Sequence, residues 1–190
     1  MSIRLLFKLS IMKKSIFVFI TLFSLTLVKA QETHTDPYEK NNEFKLNLIS
    51  PLAGAFQGSY ERHLNKKSSL GISFFKVYDN TKEDDLNYYI SPYYRMHFGK
   101  KYASGFFVEG FSMLTSIDGN KIYDPIDHSK FTEKPDVIDV ALGAGLGGKW
   151  VTKSGFVFEI NAGYGFLLFN AEKTDHTIVG KVGLNVGYRF

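Results

Sequence analysis

The plainest pattern in the chain is at its C-terminal end, where Val182, Leu184, Val186, Tyr188 and Phe190 alternate with Lys181, Gly183, Asn185, Gly187 and Arg189. A period of two marks a strand with one apolar and one polar face. The same split recurs at Phe156, Phe158, Ile160, Ala162, Tyr164, Phe166 and Leu168 against Glu159, Asn161, Gly163 and Gly165. A third run sets Ile138, Val140, Leu142, Ala144, Leu146 and Trp150 against Asp139, Gly143, Gly145, Gly147 and Lys149. Extended along the chain, the pattern predicts eight strands, at about 44-50, 55-63, 69-78, 87-98, 105-117, 137-151, 156-169 and 179-190. Most are longer than the usual five or six residues of soluble sheets, and about the length that crosses a bilayer at a tilt. Two segments resist the pattern. Strand 105-117 carries large residues on both faces, Phe107, Phe111 and Met113 with Glu109 on one and Phe106, Val108 and Leu114 on the other, which leaves its register open. Pro92 removes one ladder donor from 87-98 and predicts a bulge there.

The connectors alternate in length, and their charge follows. Segments 79-86, 118-136 and 170-178 are long and rich in Asp and Glu, among them Asp79, Asp118, Asp136, Glu172 and Asp175. The short turns 64-68, 99-104 and 152-155 hold Lys66, Lys67, Lys100, Lys101 and Lys153 and no acid; only 51-54 breaks the alternation. An even number of strands with short turns at one end and long loops at the other is the plan of a transmembrane β-barrel. The predicted fold is therefore all-β, an eight-stranded antiparallel up-and-down transmembrane barrel over 43-190. Aromatic residues near strand ends fit two interfacial girdles: Phe44, Phe98, Tyr102, Phe106, Trp150, Phe156 and Phe190 at the turn side, and Tyr78, Tyr88 and Phe169 at the loop side. A soluble lipocalin-like barrel would reverse the faces, with apolar side chains inside.

Composition changes the picture in two places. The formal charge of +4 comes from 23 basic and 19 acidic residues, but five of the basic ones (Arg4, Lys8, Lys13, Lys14, Lys29) and none of the acids lie in residues 1-30. The remainder is close to neutral, so the basic pI gives no support to nucleic-acid binding. The absence of cysteine excludes disulfides, thiol catalysis, cysteine zinc sites and a lipoprotein anchor.

Met12-Lys13-Lys14, the uncharged apolar stretch Ser15 to Val28, and Val28-Lys29-Ala30 before Gln31 read as a bacterial secretory signal over 1-30, cleaved between Ala30 and Gln31. The apolar stretch is shorter than the roughly 20 residues of a helical span. Residues 1-11 add nothing a signal needs, which points to Met12 as its start. Residues 31-42 are polar and read as a disordered lead.

The terminus Lys181-Val-Gly183-Leu-Asn-Val186-Gly-Tyr188-Arg-Phe190 resembles the insertion signal of bacterial outer-membrane proteins: a polar residue, Gly, an apolar residue and an aromatic at set spacings, then a terminal Phe. In pattern, residues 43-190 resemble the small OmpA-like and OmpX-like barrels, and are similar to outer-membrane barrel families of Bacteroidetes. The resemblance implies the outer membrane of a Gram-negative bacterium, insertion by the barrel-assembly machinery and contact with outer-membrane lipid. It implies no particular activity.

The alternation places Lys45, Glu61, Arg95, Glu109, Asp139, Lys149, Glu159, Lys181 and Arg189 inside the barrel, joined by His97, with Arg95 and Glu109 on adjacent strands. Isolated charges inside a barrel are costly, so a mutually paired polar plug is expected, ahead of catalysis by paired carboxylates. Gly143-Ala-Gly145-Leu-Gly-Gly148-Lys149 matches a dinucleotide fingerprint and most of a P-loop, but Trp150 stands where a P-loop needs Ser or Thr, and no helix is predicted to follow. Close packing of bare backbone in the lumen is the reading adopted. His128-Ser129 and His176-Thr177 lie on long loops beside Asp124, Asp127 and Asp175, residue types used by hydrolases and metal sites. Outer-membrane lipid A deacylases place His and Ser one residue apart in a lipid-facing strand, and these adjacent loop pairs do not match that arrangement. Asp118-Gly119-Asn120 lacks the ligand series of a calcium loop and reads as a turn. No catalytic residue, metal ligand or cofactor is assigned. The expected role is that of a monomeric structural or surface-interaction barrel whose acidic loops meet a partner surface or divalent cations. Two alternatives stay open: a lipid-modifying outer-membrane enzyme, and a soluble periplasmic binding barrel.

Overall fold

The computed structural model describes residues 40-79, 86-123 and 131-190. The signal segment 1-30 with Ala30 and Gln31, most of the polar lead, and loop residues 80-85 and 124-130 with His128 and Ser129 lie outside them. In chain order the strands are β1 (Asn42–Asn47), β2 (Ala55–Asn65), β3 (Ser68–Val77), β4 (Leu86–His97) and β5 (Gly105–Ile117). They continue with β6 (Lys121–Tyr123), β7 (Phe131–Glu133), β8 (Val137–Val151), β9 (Phe156–Leu167) and β10 (Ile178–Arg189). Eight of them close an antiparallel barrel in the order β1-β10-β9-β8-β5-β4-β3-β2, while β6 and β7 pair only with each other as a hairpin. No described helix is long and apolar enough to cross a membrane, which has no bearing on a barrel that crosses with strands.

Closure rests on β1, which is shorter than expected. It ends at Asn47 because the Asn47 side-chain carbonyl accepts the Ile49 N–H at 2.9 Å, turning the chain. A 3-10 turn with Pro51 in its first residues follows, and Gly54, at φ 77°, ends it. This compact turn accounts for the one short connector at the loop end. β1 still pairs with both neighbours, from Glu43↔Arg189 to Asn47↔Asn185 on one side and from Asn42↔Arg62 to Leu46↔Gly58 on the other.

The bulge expected at Pro92 is absent. The pairing of β4 with β5 resumes at Tyr93↔Phe111 in the register it held at Ile90↔Leu114, and on the other side Pro92 sits opposite Ile72. Proline removes one donor without inserting a residue, so the ladder skips and continues. The irregularities fall at Leu86/Tyr88 and His63/Asn65 instead.

Strand β5 settles inward with Phe107, Glu109, Phe111, Met113 and Thr115, and outward with Phe106, Val108 and Leu114. Its large inward rings fit because β8 and β9 present glycine opposite them. A Cβ at Gly143 would run into the Phe111 ring and one at Gly147 into the Phe107 ring, and at Gly145 it would come 3.1 Å from Glu109 Cγ. The glycine run 143-148 is thus mid-strand, with no helix after it and Lys149 held in an ion cluster.

The lumen is layered. Towards the loop end Tyr89, Tyr93, Phe111, Met113, Ile117, Ala141, Leu167 and Val179 form one apolar cluster. Towards the turn end the interior is charged. Outside, the order inverts: Phe56, Leu70, Ile72, Phe74, Leu142, Leu146, Ile160, Phe166, Val182 and Leu184 are all exposed. Near the turns Tyr60↔Phe44, Phe44↔Tyr188 and Tyr188↔Phe156 are register partners, an aromatic row across four strands. Tyr102 does not join it: its ring stands edge-on to His63, centroids 6.1 Å apart, at the mouth of the barrel.

Candidate functional site

The charged interior is built by alternation. Glu43, Lys45 and Asn47 of β1, Gln57, Glu61 and His63 of β2, Tyr93, Arg95 and His97 of β4, and Lys149, Glu159, Lys181 and Arg189 of β8 to β10 all point inward and are buried. Small residues between them let side chains meet across the lumen. Gly71, on β3 between Glu61 and Tyr93, has no room for a Cβ beside the Tyr93 ring, and the Tyr93 hydroxyl reaches Glu61 Oε2 at 3.3 Å.

Arg95 is a hub. Its Nε donates to Glu109 Oε2 at 2.7 Å, and Nη1 donates to Glu61 Oε2 and Glu159 Oε2, both at 2.8 Å. Its guanidinium lies 4.3 Å from the Tyr93 ring centroid and 4.2 Å from that of Phe107, which holds its plane. Lys45 Nζ contacts Glu61 at 2.6 Å, Glu159 at 2.7 Å and Glu43 at 3.1 Å. Lys149 Nζ contacts Glu61 at 2.7 Å and Glu43 at 2.9 Å. Lys181 Nζ reaches Glu109 at 2.9 Å, and Arg189 Nη2 reaches Glu43 at 2.9 Å and the Ala103 carbonyl at 2.8 Å. Each of these cations therefore has a carboxylate partner, the condition under which charge is tolerated away from water.

Eight of the nine charged residues read from the sequence as a lumen network lie in this cluster. Asp139 is buried but separate. At the loop end of β8 its carboxylate accepts the backbone N–H groups of Val140, Phe169 and Asn170, the last at 2.9 Å, because unpaired amides of the loop stand closer to it than any plug cation. Glu43, His63, Ser69 and Tyr93 complete the cluster. Glu43 fell just outside the expected strand start, yet it shares parity with Lys45, and His63 shares parity with Glu61; extending the alternation two residues finds both.

At the opposite end the loops make their own contacts. Asn120 Nδ2 donates to the Glu172 carbonyl at 3.0 Å, and the Lys121 N–H donates to Asp175 at 2.9 Å, so the β6-β7 hairpin is tied to the β9-β10 connector. Asp118-Gly119-Asn120 is an irregular linker into β6 rather than a turn, with Asp118 accepting from Asn87 Nδ2 at 2.9 Å.

A family model described as "Protein of unknown function (DUF3575)" matches residues 16–189. The chain belongs to that family. Among solved structures, the DUF3575 chain is similar to the N-terminal β-barrel domain of Pseudomonas aeruginosa OprF, at 16% identity and a TM-score of 0.54, over 80% of this chain and 98% of that one. It also matches the Yersinia pestis outer membrane protein Ail, whose backbone structure is in a phospholipid bilayer nanodisc, at 20% identity and a TM-score of 0.37, over 80% of this chain and 100% of that one. No curated protein sequence matches it. At 16% identity the likeness to the OprF domain concerns the fold, a small closed eight-stranded barrel of the outer-membrane type.

Proposed function

We propose that this DUF3575 protein is a monomeric outer-membrane barrel of a Gram-negative bacterium, acting as a structural or surface-interaction element through its acidic loops. The observation that carries the reading is the inversion of faces. Side chains such as Phe56, Ile72, Leu146 and Ile160 stand outward and exposed, while Glu61, Arg95, Lys149 and Arg189 are buried within. Water outside would penalise such a surface, and hydrocarbon removes the penalty. A soluble lipocalin-like barrel requires the reverse. The aromatic row at the turn end fits a headgroup interface, and β10, which closes the barrel on β1, carries Lys181, Gly183, Val186 and Tyr188 of the pattern expected to engage the barrel-assembly machinery. Each lumen cation is paired with a carboxylate, which leaves the loop surface as the place of contact, with basic partner surfaces or divalent cations as its ligands.

The test is membrane fractionation combined with electrophoretic mobility before and after heating. The protein is expected in the outer-membrane fraction, resistant to detergent until boiled. Recovery in the soluble periplasm would overturn the proposal.

A further inference from the structure

Glu61, His63 and His97 form a second kind of site inside the first. Each offers one ligating atom within 4.8 Å of the other two, and all three residues are buried. Glu61 and His63 are two apart on β2, and so share a face, while His97 comes from β4 across the small Ser69 of β3. Glu61 Oε1 lies 3.7 Å from His63 Nδ1 and 3.5 Å from His97 Nε2. A tetrahedral ion with bonds of about 2.0–2.1 Å spaces its ligand atoms roughly 3.4 Å apart, close to what is already in place.

Two features of His63 point to a ligand. His63, 3% exposed, has no hydrogen-bond partner at Nδ1, the atom aimed at Glu61. A buried nitrogen left unpaired needs an explanation, and a bound ion or a water supplies one. The other ring nitrogen, Nε2, lies 3.1 Å from Glu43 Oε2, the carboxylate–imidazole arrangement that fixes the tautomer of a metal-bound histidine and leaves Nδ1 free to ligate. The other carboxylate cluster, Glu43, Glu61 and Glu159, offers no imidazole, and Lys45, Lys149 and Arg95 bridge its carboxylates.

We propose that Glu61, His63 and His97 bind a borderline divalent cation of the zinc type, clamping β2 to β4 at the turn end of the lumen. Two imidazoles and one carboxylate suit Zn²⁺ or Co²⁺ better than Mg²⁺ or Ca²⁺, which prefer all-oxygen sites. Ser69 Oγ donates its single proton to Glu61 Oε1 at 2.6 Å and therefore accepts from His97 Nε2–H at 2.9 Å, so ligation by His97 Nε2 moves that proton to Nδ1, which has no hydrogen-bond partner. Lys45 and Arg95 hold Glu61 through Oε2, so the Lys149 ammonium is the built-in competitor at Oε1: it holds that atom at 2.7 Å, and a cation must displace it towards Glu43, which it already contacts at 2.9 Å. Zinc affinity is therefore set by the balance between ion and lysine, and removing the lysine charge should strengthen binding.

The experiment titrates the purified full chain in detergent with Zn²⁺ alone, and records the visible spectrum with Co²⁺ alone. The expected result is one ion per barrel with the absorption of a tetrahedral nitrogen–oxygen site. His63→Gln and His97→Gln, checked for folding by heat-shifted mobility, should weaken binding at least tenfold, and Lys149→Met should tighten it at least tenfold. Unchanged affinity in both histidine variants would place the ion elsewhere and overturn the proposal. So would a folded Lys149→Met barrel that takes up no metal, which would leave water as the partner of His63.

Discussion

Glu43 and Arg189 are partners in two senses: they face each other across the seam where β1 meets β10, and their side chains join at 2.9 Å between Nη2 and Oε2. The same carboxylate receives Lys45 at 3.1 Å and Lys149 at 2.9 Å, so three cations depend on it. Substituting Glu43→Gln removes a buried charge while keeping its shape, and leaves those cations undercompensated. Breaking a buried pair in this way costs about 3–5 kcal/mol. Urea unfolding of the refolded barrel should show that loss, whereas Glu172→Gln on the exposed loop should leave the midpoint in place. Equal midpoints for the two variants would mean that the seam does not depend on this carboxylate.

The barrel itself was legible because long strands with one apolar face repeat a period that helices cannot carry. The outward sets of β8, β9 and β10 needed only counting, and so did the facing pair Arg95 and Glu109. What counting could not supply was depth and direction along a strand. Asp139 has the same parity as Lys149, but ten residues of strand separate it from the cluster, and at that end amides outnumber cations. The apolar half of the lumen stayed hidden because large residues on both faces of β5 blur its alternation, and only the glycines opposite decide which side has room. Hairpin β6-β7 stayed hidden for a different reason: three residues per strand are too few to show a period.

Those glycines yield a second prediction. Gly147→Val would drive a branched side chain into the Phe107 ring, and overpacking of this kind costs about 1–3 kcal/mol or blocks folding. Gly110 and Gly180 meet nothing within 4 Å, so Gly110→Ala and Gly180→Ala should be neutral or stabilise by a few tenths of a kcal/mol, since glycine weakens a strand. Refolding yield and urea midpoints of the three variants decide it; similar losses in all three would discredit the assignment of faces.

Conductance offers a third. Arg95, Lys45, Glu61 and Glu159 meet in the middle of the lumen and Phe107, Phe111 and Met113 fill β5's inward face, so no continuous water path is expected. Planar-bilayer recordings of the wild-type protein should show no stable large channel. Reproducible large openings would contradict the packed interior.

Asp139 anchors the connector after β9 by accepting the amides of Phe169 and Asn170. Asp139→Ala should cost about 1.5–3 kcal/mol, the usual loss when amides lose a charged acceptor. The effect should be local: faster hydrogen exchange over 168-171, with β9 and β10 protected as before. Asp139→Asn keeps an acceptor and should restore most of the protection. Uniform loss of protection through β8 to β10 would instead make Asp139 part of the barrel's global stability.

The β6-β7 hairpin gives the last prediction, because its strands stand outside the barrel sheet. Its strands pair only with each other, and the described links to the rest include the Asn120 N–H to the Lys173 carbonyl at 3.1 Å, Asn120 Nδ2 to the Glu172 carbonyl, and Lys121 N–H to Asp175. The eight barrel strands hold their hydrogen bonds without it, and loops on a rigid scaffold change without unfolding the scaffold. Replacing residues 121-133 with a short Gly/Ser linker, which keeps Asn120, should therefore preserve detergent resistance and heat-shifted mobility. If the acidic loop surface is where partners meet the protein, the shortened form should lose retention of basic surfaces or divalent cations. The native form should lose it only as salt rises, since exposed charges are screened over about 8 Å at physiological ionic strength. Failure of the shortened chain to fold would show that the hairpin helps to close the barrel, and full retention of every partner at low salt would show that the hairpin is only a connector.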